Sequence, residues 1–154
     1  MADVSDAYTL ASKTFRAALT VVLRRHGLHL GQNLVVERLA ERDGQTPGEL
    51  AAAIHVTTPT IVKMATRMAS AGLVVRRRDD ADNRLVRLYL TPEGRAVAGP
   101  LRADLDGLEA QLVAGLTDAE RATLLELMAR VTGNARALLD AWSEVPEEHV
   151  GHED

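Results

Sequence analysis

The stretch TPGELAAAIHVTTPTIVKMATRMASAGLVVRRRDDADNRLVRLYLT, Thr46 to Thr91, decides the fold. It opens on Thr46-Pro47-Gly48-Glu49, a capping box with proline at the first helical position. The threonine hydroxyl takes a free amide, and the glutamate reaches back to the cap. Leu50, Ala51, Ala53 and Ile54 make a short helix. His55-Val56 forms a tight connection, Thr57 caps a second helix, and Pro59 is tolerated in its first turn. That helix runs to about Ala71 and ends at Gly72. Beyond Gly72 the apolar period changes from 3.6 to 2. Leu73–Arg78 and Arg84–Leu90 read as strands, with Asp79–Asn83 as the turn between them. A short helix, a tight turn and a longer helix make a helix-turn-helix. Many helical proteins contain such a corner, but a basic hairpin directly after it is the order of a winged helix.

Outward from this module the chain is helical. Ser5 to about His26 carries apolar residues at helical spacing, Tyr8, Ala11, Phe15, Ala18, Leu19, Val22 and Leu23 among them. A helix from about Gly31 to Glu41 has Leu34, Val35, Leu39 and Ala40 as its expected buried stripe. Thr91-Pro92-Glu93 opens a long helix with Val97, Leu101, Leu105, Leu108 and Leu112 in a coiled-coil-like repeat, interrupted and kinked at Gly99-Pro100. Thr117-Asp118-Ala119-Glu120 is a second capping box and starts a last helix that reaches Trp142. The predicted fold is mainly α with a small β-hairpin (α+β). It divides into an N-terminal dimerisation helix (1–30), a winged helix-turn-helix (31–95), C-terminal dimerisation helices (96–145) and a flexible acidic tail (146–154).

Composition narrows the function. The 154 residues include no cysteine, which removes thiol nucleophiles, thiolate zinc sites and thiol-based sensing. No apolar run approaches the roughly 18 residues of a membrane helix, and no leader precedes the first helix, so a cytoplasmic protein without membrane contact is expected. Net charge is −4, yet Thr58–Arg95 is +4 and the remainder −8. One basic module sits in an acidic frame. An enzyme needs a nucleophile, a positioned base and an oxyanion or metal partner. The sequence offers no Gly-rich phosphate loop, no Ser/His/Asp constellation and no metal-ligand spacing, so no catalytic residue, metal or cofactor is expected.

The second helix of the pair divides into two faces. Ile61, Met64, Ala65 and Met68 should face the core. Thr58, Pro59, Thr60, Val62, Lys63, Thr66 and Arg67 remain outward. The bland reading is a solvated amphipathic face, and the adjoining hairpin favours double-stranded DNA. A face of small residues lets a helix sink into the major groove, with threonines at base edges or thymine methyls. Lys63 reaches a base or a phosphate, and Arg67 a phosphate. Arg84 is the candidate for a minor-groove contact, with the Asp82 carboxylate orienting its guanidinium. Arg76, Arg77 and Arg78 alternate faces, so only one or two reach phosphates, with Arg76 and Arg78 the candidates. Asp79 and Asp80 shape the turn.

These residues resemble the MarR family of bacterial winged-helix regulators. The resemblance rests on TPGELAAAIHVTTPTIVKMATRMASAGLVVRRR, on Asp82-Asn83-Arg84 as D-x-R, and on LYLTPEGR from Leu88 to Arg95. It implies an obligate homodimer, with first and last helices interlocked, that binds a palindromic operator, usually as a repressor. It places base recognition on Thr58 to Arg67 and the wing contact on Arg84 with Asp82. Asn83 stands where the family often has a second arginine. Many members bind small aromatic acids or phenols between helical frame and winged helix.

The terminal helices carry more apolar positions than one small domain needs. Phe15 and Leu19 match Leu124, Leu127, Val131 and Leu138, which a bundle shared by two chains would bury; packing onto the chain's own winged helix is the alternative. Arg16, His26 and His29 are the candidates for an effector pocket. His26 and His29 also have the look of a metal pair, though neutral loop histidines explain them more simply. A competing reading is a winged-helix protein-interaction module that has lost sequence-specific DNA binding.

Overall fold

The computed structural model describes residues 3–143. The acidic tail expected at 146–154 lies outside them. The elements in chain order are α1 (Val4–Arg25), α2 (Gln32–Glu41), α3 (Pro47–Ile54), α4 (Thr58–Ser70), strands β1 (Val74–Arg78) and β2 (Val86–Leu90), α5 (Pro92–Leu112) and α6 (Asp118–Ser143). The described residues form two compact units that divide between Leu112 and Val113. The first half of α5 is built into the winged-helix core through Leu101, which is fully buried, and through Val97 and Leu105, which pack against the same cluster.

Local chemistry places the ends of the elements. Thr46 accepts the Glu49 amide at 3.2 Å, and the Glu49 carboxylate accepts the Thr46 amide at 2.7 Å, closing the predicted capping box at α3. Thr57 caps α4 in the same sense. Between them His55 adopts φ 57°, ψ 46°, the left-handed conformation that ends α3 and turns the chain. At the wing root Thr91 donates its hydroxyl to the Gly72 carbonyl at 2.6 Å and accepts the Gly94 amide at 2.9 Å. One threonine thus ties the end of the recognition segment to the start of α5.

The core of the first unit draws on every element: Leu23 from α1, Val35, Val36 and Leu39 from α2, Leu50 from α3, Ile61, Ala65 and Met68 from α4, Val74, Leu88 and Leu90 from the hairpin, and Leu101 from α5. Each such side chain contributes about 1.5–3 kcal/mol on burial. The stripe of α2 differs from expectation. Val35, Val36 and Leu39 are buried, whereas Leu34 and Ala40 are exposed. The helix begins at Gln32, whose side chain accepts the His29 amide, and its inward face runs through Gln32, Val35, Val36 and Leu39.

The strands pair antiparallel with Val74 opposite Leu90 and Arg78 opposite Val86. Residues 84 and 85, expected in the strand, belong to the turn, because Asp79 and Asp82 capture amides there. A further bridge joins Gln45 to Leu88, with Leu88 donating to the Gln45 carbonyl at 2.9 Å. The α2–α3 loop thereby lies along the hairpin as a one-residue third strand. The helix α5 runs unbroken through Pro100, against the expected interruption. Buried Leu101 and the packed Val97 and Leu105 hold the helix on both sides of the proline and offset the roughly 3 kcal/mol that an internal proline costs.

The second unit is dominated by α6. The Thr117–Glu120 box forms as expected, with the Thr117 amide and hydroxyl both donating to Glu120. From Asp118 to Trp142 every residue of this helix is exposed.

Candidate nucleic-acid interface

Helix α4 is oriented by its apolar side. Ile61, Ala65 and Met68 are buried, and Met64 is packed against the core. Their spacing turns Thr58, Pro59, Val62, Lys63, Thr66 and Arg67 to solvent as one exposed face. Thr60 departs from expectation. It is half-buried, and its hydroxyl lies 2.8 Å from that of Thr57, so it completes the helix cap instead of standing free.

The hairpin lies beside this face. Val74, Arg76 and Arg78 share one side of β1. Val74 is buried, and Arg76 is where that side leaves the core. The Arg76 guanidinium donates to the Val62 carbonyl at 3.1 Å and to the Thr66 hydroxyl at 2.5 Å. Thr66 in turn donates to the Val62 carbonyl at 2.8 Å. Arg76 is therefore folded back on α4, not extended towards a polyanion as expected. Arg78, one pleat further out, is exposed. Arg77 points to the other face and stacks over the Tyr89 ring at 5.2 Å.

The aspartates of the wing build its turn. Asp79 accepts the amides of Ala81 and Asp82, each at 2.9 Å, with one oxygen. With the other it accepts from the Arg87 guanidinium. That guanidinium, and then the two amides, hold the Asp79 carboxyl below the usual carboxylate range. Asp82 accepts the backbone amide of Arg84 at 3.0 Å. The expectation that Asp82 grips the Arg84 guanidinium is thus corrected. The carboxylate is spent on an Asx-type turn that fixes where Arg84 leaves the backbone, and Arg84 itself is exposed.

Arg87 was not among the expected site residues, yet it anchors the wing. Besides Asp79 it donates to the Gly44 carbonyl at 2.8 Å and lies 3.6 Å from the Glu49 carboxylate. Asp43 beside it accepts the Leu90 amide at 3.0 Å and pairs with Arg95. Gln45, buried, donates to the carbonyls of Arg38 and Arg42 at 2.9 and 2.6 Å. The α2–α3 loop is the common anchor. Its sequence, Arg42-Asp43-Gly44-Gln45, carries the signal only as an acidic turn before a capping box.

The candidate effector residues are placed separately. Arg16 lines a shallow depression on α1 with Tyr8, Thr9, Ser12 and Lys13. The His26 ring is mostly buried, with Nε2 at 2.9 Å from the Asp104 carboxylate of α5. His29 is exposed. An effector at His26 would have to compete with Asp104. Among the candidate dimer residues, Phe15, Leu124, Leu127, Val131 and Leu138 are exposed, while Leu19 is packed against the core of its own unit.

The order and arrangement of these elements match known proteins. The MarR family model matches residues 28–86, from the end of the α1–α2 connection into β2. Over that span the chain is similar to the MarR family. The HTH-type transcriptional regulator TtmR of Methylorubrum extorquens is 30% identical over 129 residues, 82% of this chain and 64% of its own length. The chain thus spans just under two thirds of that relative. The homoprotocatechuate degradative operon repressor of Escherichia coli is 28% identical over 117 residues, 75% of this chain and 79% of the relative. A crystal structure of a mutant MarR from Escherichia coli complexed with operator DNA superposes with a TM-score of 0.75 at 25% identity, covering 83% of this chain and 92% of that one. Over the matched residues, α4 is the second helix of a helix-turn-helix and β1–β2 is its wing.

Proposed function

We propose that the chain is a DNA-binding transcriptional regulator, a repressor, that acts in the cytoplasm as a homodimer on a palindromic operator. It is not an enzyme. In each protomer α4 enters the major groove, with Thr58, Pro59, Val62, Lys63 and Arg67 towards the bases and their flanking phosphates. The hairpin carries Arg84 to the adjoining minor groove, and Arg78 faces the backbone. The observation that carries this reading is the single exposed face of α4 lying against an arginine-rich hairpin, inside a domain whose remaining charge is acidic. The exposed apolar residues of α1 and α6, Phe15, Leu124, Leu127, Val131 and Leu138 among them, support a second chain as the cover. The operon repressor among the relatives supports the sign of regulation. It also makes a small aromatic or phenolic effector the ligand class to try for release.

The test is selection of bound fragments from the source genome, followed by titration of the best duplex at several salt concentrations. A regulator of this kind loses affinity steeply with salt, by a slope of about −0.9 per phosphate contacted. A protein that leaves every duplex unshifted at low salt would overturn the reading.

A further inference from the structure

We propose that Arg76 is a positioning residue, which locks the recognition helix to the wing so that the two engage DNA as one rigid body. It is not a phosphate contact. The proposal rests on the DNA-binding reading above and adds a division of labour among its arginines.

The geometry carries it. Arg76 reaches from β1 to the middle of α4 and donates to the Val62 carbonyl at 3.1 Å and the Thr66 hydroxyl at 2.5 Å. The Thr66 hydroxyl already donates to the same carbonyl at 2.8 Å. Three groups from two elements therefore close one knot. Both bonds leave one nitrogen, Nη2, at the far end of the arginine side chain, a position that the shorter lysine does not reproduce. The knot lies between Val62 and Thr66, one helical turn apart on the exposed face. Any rotation or slide of α4 relative to the hairpin must break it.

Two consequences follow for recognition. The guanidinium points at the protein, so Arg76 adds positive potential near the groove without neutralising a particular phosphate. The Thr66 hydroxyl has spent its hydrogen on Val62 and a lone pair on Arg76. Thr66 therefore cannot donate to a base edge, and its methyl group is free for apolar contact with a thymine methyl.

The experiment uses the full chain, its selected duplex and a scrambled duplex of the same length. Arg76→Ala, Arg76→Lys, Thr66→Val and the double variant Thr66→Val/Arg76→Ala are compared with the unaltered protein across a salt series. Arg76→Ala should weaken the selected duplex about fivefold to tenfold, the scale of one or two hydrogen bonds. It should leave the scrambled duplex and the salt slope unchanged. Thr66→Val should reproduce part of that loss, the double variant should be no worse than Arg76→Ala, and Arg76→Lys should recover only part of the affinity. A phosphate contact would behave otherwise. The slope would fall by about 0.9, both duplexes would weaken alike, lysine would restore binding, and Thr66→Val would be silent; that pattern overturns the proposal. Hydrogen exchange of the free protein gives a readout independent of DNA. Arg76→Ala should speed exchange of the Thr66 amide while the α1 amides stay protected, and unchanged exchange at Thr66 also overturns the lock. Failure of the unaltered protein to bind any duplex would instead sink the functional reading.

Discussion

Gly94 shows how tightly one residue can be specified. A Cβ placed there would lie 2.0 Å from the Leu73 carbonyl oxygen, and that oxygen also accepts the Thr91 amide. The neighbour is backbone and cannot swing away. Gly94→Ala should therefore destabilise the chain by about 1–3 kcal/mol, as overpacking does, measurable as a lower urea midpoint with an unchanged slope. The opposite sign is expected at His55, a left-handed residue with an exposed side chain. There His55→Gly should stabilise by about 0.5–1 kcal/mol, read from the same urea titration; a lower midpoint would show that the imidazole contributes something its exposure does not suggest. For Arg84, exposed and aimed by the Asp82 turn, Arg84→Ala should weaken operator binding by about 1–3 kcal/mol, and an unchanged gel-shift titration would remove the wing tip from the interface. Single residues were legible to different depths. The Thr46 and Thr117 boxes could be read because both partners lie within three positions. The roles of Arg76 and Arg87 could not, since their partners lie 8 to 43 positions away and depend on which elements become neighbours.

At the scale of elements the wing is the part most exposed to acid. Its turn is organised by the ionised Asp79, whose carboxyl the Arg87 guanidinium holds below the ordinary range. Glu49, in the capping box against which Arg87 also rests, is lowered chiefly by its hydrogen bond from the Thr46 amide. A depressed folded pKa means that the stabilisation is complete above the ordinary carboxylate value of about 4 and is lost as pH falls through the lower folded value. The hairpin should thus loosen below about pH 4, seen as faster exchange or shifted resonances of the Ala81 and Asp82 amides. Asp79→Asn should bring that change to neutral pH, and an acid response unaltered by it would assign the effect elsewhere. Periodicity had placed all eight elements, because switches between 3.6 and 2 need no tertiary information. It misplaced the inward face of α2, where Gln32 sets the helix start, and it broke α5 at Pro100, where packing of Leu101 outweighs local propensity. The Gln45 bridge to Leu88 had no periodic signature, being a single residue paired across the hairpin.

At the scale of the whole molecule, α6 is a 26-residue helix whose described side chains through Trp142 are all exposed, Leu124, Leu127, Val131 and Leu138 included. Helices in water draw most of their stability from burying an apolar face, so such a face calls for a partner, and the proposed homodimer supplies one as a second copy. Leu127→Asp should then abolish the dimer, seen by light scattering as a halved mass. A variant that remains dimeric would move the interface off this face. The need for a partner was legible as surplus leucine, while the share kept by the chain itself was not, as Leu19 shows by packing into its own core. A second copy packed on α6 would also tie folding to mass action. Heat resistance should climb as the solution is made more concentrated, and in a cell holding few copies the operator, by gathering two protomers, would help to keep the protein it recruits from melting.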